Sequence, residues 1–86
     1  EPLAFNIHFQ LGLMYAKSER TYEAIQALEA ALSIRSDYFP ALKNLGALYQ
    51  NAGFRHKAME MWERCLSFAP DEATRETIKQ HLVAVL

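Results

Sequence analysis

A chain of 86 residues, 51% hydrophobic and 22% charged, has room for one domain and is too apolar to be disordered. A formal charge of −1 gives no field that favours nucleic acid or an acidic membrane surface. A single cysteine, Cys65, excludes a disulfide framework and a cysteine-ligated zinc site, and no apolar run approaches the ~18 residues of a membrane span.

Residues 5–17 place Phe5, Ile7, Leu11, Met14 and Tyr15 at helical spacing, and all five are expected to be consumed by packing. The polar run Lys17-Ser18-Glu19-Arg20 is a turn, and Thr21 is the expected N-cap of a second helix with Glu23 in its first turn. That helix runs to about Ile34 on a stripe of Ala24, Ile25, Leu28, Ala31 and Leu32. Asp37 is expected to cap a third helix, with Pro40 in its first turn and Leu42, Leu45, Leu48 and Tyr49 as its apolar face. Gly53 is the expected left-handed residue that ends it. A fourth helix over 55–68 turns Ala58, Met59, Trp62, Cys65 and Leu66 inward. Pro70 stops it, and Asp71 caps a fifth helix over 72–86, with Ile78, Leu82 and Val85 or Leu86 inward and Arg75, Glu76, Lys79 and Gln80 in water. No strand signal occurs.

The chain repeats itself at a spacing of 34 residues. Leu11-Gly12, Tyr15 and Ala24 recur as Leu45-Gly46, Tyr49 and Ala58, and nine of the 34 aligned pairs are identical. Most matches are apolar or small residues at helical positions, where a stacked repeat needs them. A glycine inside a helix costs about 0.5–1 kcal/mol relative to alanine. Its recurrence at one register therefore implies a close helix contact, Gly12 with Ala24 and Gly46 with Ala58.

These residues resemble the tetratricopeptide repeat family, whose units read W-x2-L-G-x2-Y, then A-x3-F, then P. Residues 39–72 give Leu42-x2-Leu45-Gly46-x2-Tyr49, Ala58-x3-Trp62 and Pro70. Residues 5–38 give His8-x2-Leu11-Gly12-x2-Tyr15, Ala24-x3-Leu28 and Ser36. The fold expected is all-α: one domain over 1–86, an α-solenoid of two helix-turn-helix units, 5–38 and 39–72, and a capping helix, 73–86. The absence of Met at position 1, and Pro2 standing 34 residues before Ser36, suggest a fragment of a longer protein.

The resemblance implies a protein-interaction scaffold that binds a peptide or helix in a concave groove lined by the first helix of each unit. Mapped onto this chain, the groove holds Phe9, Leu13 and Lys17, then Lys43, Asn44, Ala47, Gln50 and Asn51, then Thr77 and His81. Asn6, Gln10, Ala16, Thr74 and Ile78 share those faces. The first and third helices contain no Asp or Glu, and their only full charges are Lys17 and Lys43. The ligand expected is therefore apolar with some acidic character. A clamp for chaperone C-terminal carboxylates is incomplete here, because Phe9 and Leu13 stand where that clamp has Lys and Asn; an EEVD peptide is expected not to bind.

No catalytic constellation, cofactor motif or metal-ligand spacing is present. His8 sits at a packing position, His56 lies in a solvated basic turn, and Cys65 is expected to be a small buried thiol. The reading is a non-enzyme without cofactor, metal, nucleic acid or membrane partner, cytoplasmic by default. Two alternatives stand beside it. One is a homodimer, since two units are fewer than the usual three; the other is a regulatory domain of a larger enzyme.

Overall fold

A repeated helix–turn–helix pattern can bury its apolar stripes only by stacking, and each helix here lies against its neighbour in sequence. The computed structural model describes residues 2–86. Its helices are α1 (Pro2–Lys17), α2 (Thr21–Ile34), α3 (Phe39–Ala52), α4 (Arg55–Phe68) and α5 (Glu72–Ala84), with no strand among the described residues. The closest pairings are α1 with α2 and α3 with α4, the two hairpins; α2 joins them by packing on α3, and α5 packs on α4.

The glycine notches set the hairpin geometry. A Cβ placed on Gly12 would stand 2.7 Å from Leu28 Cγ and Cδ2, and one on Gly46 would stand 2.7–3.0 Å from the Trp62 ring. Leu28 and Trp62 are 0% and 1% exposed, so each helix presses a large side chain onto bare backbone of its partner. Ala24 and Ala58, both 0% exposed, keep the facing helix slim at the same level.

The two hairpins also turn by one mechanism with different residues. After α3, Gly53 adopts φ 87°, its N–H donates to Gln50 O at 3.2 Å, and Phe54 N–H reaches back to Tyr49 O at 2.9 Å. After α1, Glu19 adopts φ 61°, its N–H donates to Ala16 O at 3.1 Å, and Arg20 N–H reaches Tyr15 O at 2.9 Å. The residue after the left-handed position covers the same tyrosine in both: Phe54 meets Tyr49 edge-on, and the Arg20 guanidinium lies over Tyr15 at 5.2 Å. A left-handed conformation suits glycine and strains glutamate.

Helix starts differ from expectation at two points. Thr21 is already inside α2, whose N-cap is Arg20 without a side-chain cap; Glu23 complements the dipole and pairs with Arg20 at 2.7 Å instead. Asp37 likewise precedes the cap of α3, which is Tyr38, again without a side-chain bond, and Pro40 fixes that first turn. Asp71 does cap α5, accepting Thr74 N–H at 2.8 Å, and that bond lowers the pKa of its carboxyl.

α5 is fastened at both ends. Ile78 and Val85 are buried, and the Arg75 guanidinium donates to Leu66 O at 2.6 Å in the last turn of α4. Arg75 is thus half-buried rather than in water, because α4 ends at Ala69-Pro70 with its carbonyls in need of donors. Leu86, offered with Val85 as an inward residue, is 75% exposed. No helix among the described residues is long and apolar enough to cross a membrane.

Two substitutions check this account. Gly46→Ala gains helix propensity but drives a methyl into a ring held on both sides, so a net loss of ~1–2 kcal/mol is expected in urea unfolding. Glu19→Gly relieves the left-handed glutamate and is expected to raise stability by ~0.5–1 kcal/mol in the same measurement.

Candidate partner-binding face

The residues expected to line a groove lie on α1, α3 and α5, and the structure treats them unequally. Lys17, Lys43, Asn51 and Thr77 are exposed. Leu13, Asn44, Ala47, Gln50 and His81 are half-buried, with Leu13 and Ala47 resting on the core. Phe9 is only 9% exposed and is corrected as a free groove side chain. Its ring meets Tyr38 edge-on at 5.1 Å, Phe5 meets the same ring at 4.7 Å, and Arg35 lies 5.0 Å over both Phe5 and Tyr38. Phe9 is therefore part of the joint between the hairpins. Ile78, placed on the same face of α5, is 2% exposed and belongs to the core.

The converse correction concerns α1. Ile7 and Met14, assigned to packing, are 56% and 59% exposed, while Leu11 is half-buried. They fall on the side of α1 turned away from both α2 and the α3 joint. With Asn6, Gln10, Leu13 and Lys17 they line an open cleft of about 460 Å³. A second cleft, about 540 Å³, lies between the α3–α4 turn and the end of α5, lined chiefly by Phe54, Arg55, Lys57, Met59, Val85 and Leu86.

One node links three of the helices. Trp62 on α4 donates its indole N–H to Gln50 Oε1 on α3 at 3.2 Å, and its ring stacks on His81 of α5 at 4.3 Å and 8°. Two expected groove residues are thereby drawn onto one buried ring. Asn44 turns its amide inward along its own helix, donating Nδ2–H to Pro40 O at 2.7 Å, which leaves its carbonyl oxygen for another donor. Thr77 bonds Ala73 O at 3.2 Å.

Sequence reasoning missed Tyr38 and the hydrogen-bonding side of Trp62. The residue 34 places after Tyr38 is Glu72, so the repeat gave Tyr38 no mark, although an aromatic beside Phe39 at the unit boundary was a usable hint. Trp62 was read for its size alone; a buried indole N–H demands an acceptor, and Gln50 is the amide one helix back.

The titratable groups perform structural work. Tyr49 donates its hydroxyl to Glu29 across the α2–α3 contact; burial first, then that carboxylate, raises the tyrosine pKa. The Cys65 thiol, 0% exposed, is pushed up to about 12 by burial, against the weaker pull of Arg64 and Lys43.

Stacked hairpins with small-residue notches, lacking any convergent acid–base or nucleophile set among the described residues, define a helical-repeat module. Residues 5–38 match the tetratricopeptide repeat family, at the boundaries read from the 34-residue periodicity. Such repeats are non-catalytic modules that mediate protein–protein interaction. The chain is also 32% identical, over 71 residues, to human protein O-mannosyl-transferase TMTC3; the match covers 83% of this chain and 8% of that protein.

The buried thiol supplies a prediction for this subsection. A maleimide at neutral pH is expected to label Cys65 only as fast as the whole domain opens, so its rate should rise with urea in step with the loss of helical circular dichroism.

Proposed function

We propose that the chain binds a peptide or helix of a partner protein along the face formed by α1, α3 and α5. Lys17 and Lys43 supply charge there, Asn44, Gln50 and Asn51 supply amides, and Leu13 and Ala47 supply apolar contact. Thr77 and His81 close the far side. Phe9 has no part in contact and acts only through the joint it builds with Tyr38.

One observation carries the reading. The 16 residues of α1 and the 14 of α3 hold no carboxylate, while Glu23, Glu29, Glu60 and Glu63 all sit on α2 and α4. A net charge of −1 sorted in this way leaves a mildly positive face on a slightly acidic molecule. A segment pairing an apolar side chain with one or two carboxylates complements it.

A second reading is that the module forms a non-catalytic part of a larger enzyme. The likeness to a protein named a transferase, of which the chain spans 8%, favours it. It is compatible with the first, because the interaction face would then serve the enzyme's substrate or a subunit.

Peptides selected from a random library on the immobilised chain test the proposal. They are expected to carry an acidic residue near an apolar one, to shift the emission of Trp62, and to bind Lys43→Glu ~10- to 100-fold more weakly at unchanged helicity. Equal affinity for both proteins, with Trp62 unmoved, places the ligand elsewhere.

A further inference from the structure

The two hairpin turns share a register, yet they place different chemistry there. Thr21, Tyr22 and Glu23 open α2; 34 residues on, Arg55, His56 and Lys57 open α4. In α2 the acid lies at the positive end of the helix dipole and pairs with Arg20. In α4 the first turn holds three basic residues and no acid, an arrangement the dipole opposes. Arg55 is accounted for by the fold, since its guanidinium donates to the carbonyls of Val85 and Leu86. His56 and Lys57 are exposed and in no ion pair among the described residues, and Lys57 gains only a contact over the Tyr49 ring at 5.8 Å. Phe54 departs from its counterpart as well. At its register in the first hairpin Arg20 covers Tyr15, so covering the tyrosine does not require an aromatic ring. Phe54 covers Tyr49 and is still 41% exposed, its ring also set edge-on to Tyr22 at 6.3 Å. Two departures at one place, neither needed for folding, answer a different demand.

Both departures border the cleft of about 540 Å³ at the end of α5. Its lining joins buried Val85 and half-buried Met59 to exposed Phe54 and Leu86, and no Asp or Glu takes part. Arg55 ties α4 to the end of α5, so the two walls are held in place before any ligand arrives. We propose that this cleft docks a segment of a partner protein that carries a large apolar side chain beside a carboxylate. The apolar group enters between Phe54 and Leu86, and the carboxylate meets Lys57 and His56. Charge complementarity selects this occupant: an apolar recess rimmed by cations, with no acid of its own, rewards an acidic neighbour and rejects a basic one. The concave shape suits an inserted side chain better than a flat lipid surface. Lys43 and Asn44 stand in the first half of α3, whereas the cleft begins beyond its C-terminal end, so this inference and the groove reading fail separately.

The probe is a short acetylated and amidated peptide with one phenylalanine between two aspartates, beside a counterpart with lysines in the aspartate places. Titrated into the isotope-labelled 86-residue chain, the acidic peptide is expected to give saturable amide shifts centred on Phe54, Lys57, Met59 and Leu86. The lysine peptide is expected to bind ~10-fold or more weakly. Lys57→Glu should weaken the acidic peptide by a similar factor without lowering the thermal midpoint, because an acid there suits the dipole of α4. Lys43→Glu should leave this binding unchanged. Equal binding of the two peptides, or full binding to Lys57→Glu, overturns the proposal. Shifts centred on Lys43 and Asn44 overturn it in favour of the groove. Co-sedimentation with phosphatidylserine vesicles that Lys57→Glu abolishes would make a membrane the partner, and a dimer that Lys57→Glu dissolves would make it a second copy; either result also overturns it.

Discussion

Everything in this fold depends on two places where a helix has no side chain. Gly12 and Gly46 let Leu28 and Trp62 rest at distances that no Cβ would permit. Burying a tryptophan is worth several kcal/mol by the cost of truncating it, against about 1 kcal/mol for a glycine in a helix. The exchange is favourable only because the large residue falls opposite the notch. Spacing therefore matters more than composition, and the 34-residue period is the record of that requirement in the sequence. The two units answer it differently, one with leucine and one with tryptophan, because what the geometry fixes is a notch and a knob rather than a particular pair.

The second requirement is that backbone groups freed at each helix end find partners. Local backbone turns meet part of it, and tertiary contacts meet another part. The Arg75 guanidinium satisfies Leu66 O, Arg64 reaches Ser36 O at 2.9 Å, and Arg55 reaches Val85 O at 3.2 Å. Each joins an element to a neighbour, α4 to α5 in two cases and α4 to the connection between the hairpins in the third, so a carbonyl satisfied in this way also helps to fix how the elements sit. Only α5 has a side-chain cap bond of its own, from Asp71, among the α2–α5 starts. That suits a helix whose main packing partner among the described residues is α4.

How far the sequence could be read follows from which forces leave a periodic trace. Helix positions, the notches, the left-handed Gly53 and the Asp71 cap were legible because each is a local rule that one residue type satisfies. Ile7 and Met14 were misassigned because amphipathic spacing shows that a face is apolar without showing which neighbour covers it, and no helix among the described residues covers these two. Phe9 was misassigned for the converse reason. Its groove position came from the family register, whereas its burial depends on Tyr38, which the repeat does not reproduce. Thr21 and Asp37 were reasonable caps by residue type, yet the chain enters α2 and α3 one residue away from where each would serve. On the candidate face, Lys17, Lys43 and the amides were readable as chemistry, but the Gln50–Trp62–His81 link was not, since it joins three helices across long sequence separations.

That link bears on how the proposed binding would be felt by the domain. Gln50 and His81 belong to the proposed face, and Trp62 belongs to the core; the same two contacts that engage the amide and the imidazole flank the ring that rests against Gly46. A ligand that bonds Gln50 competes with the indole N–H for one carbonyl oxygen, which has a second lone pair to give. Where it uses that lone pair, occupancy adds to the node and stabilises the native stack by mass action. Where it displaces the indole, a buried N–H loses its acceptor at a cost of ~1–3 kcal/mol. Ligands of the first kind are therefore selected by the domain's own stability. Under the proposed binding, specificity would then be set in part by which partners leave Trp62 bonded to Gln50.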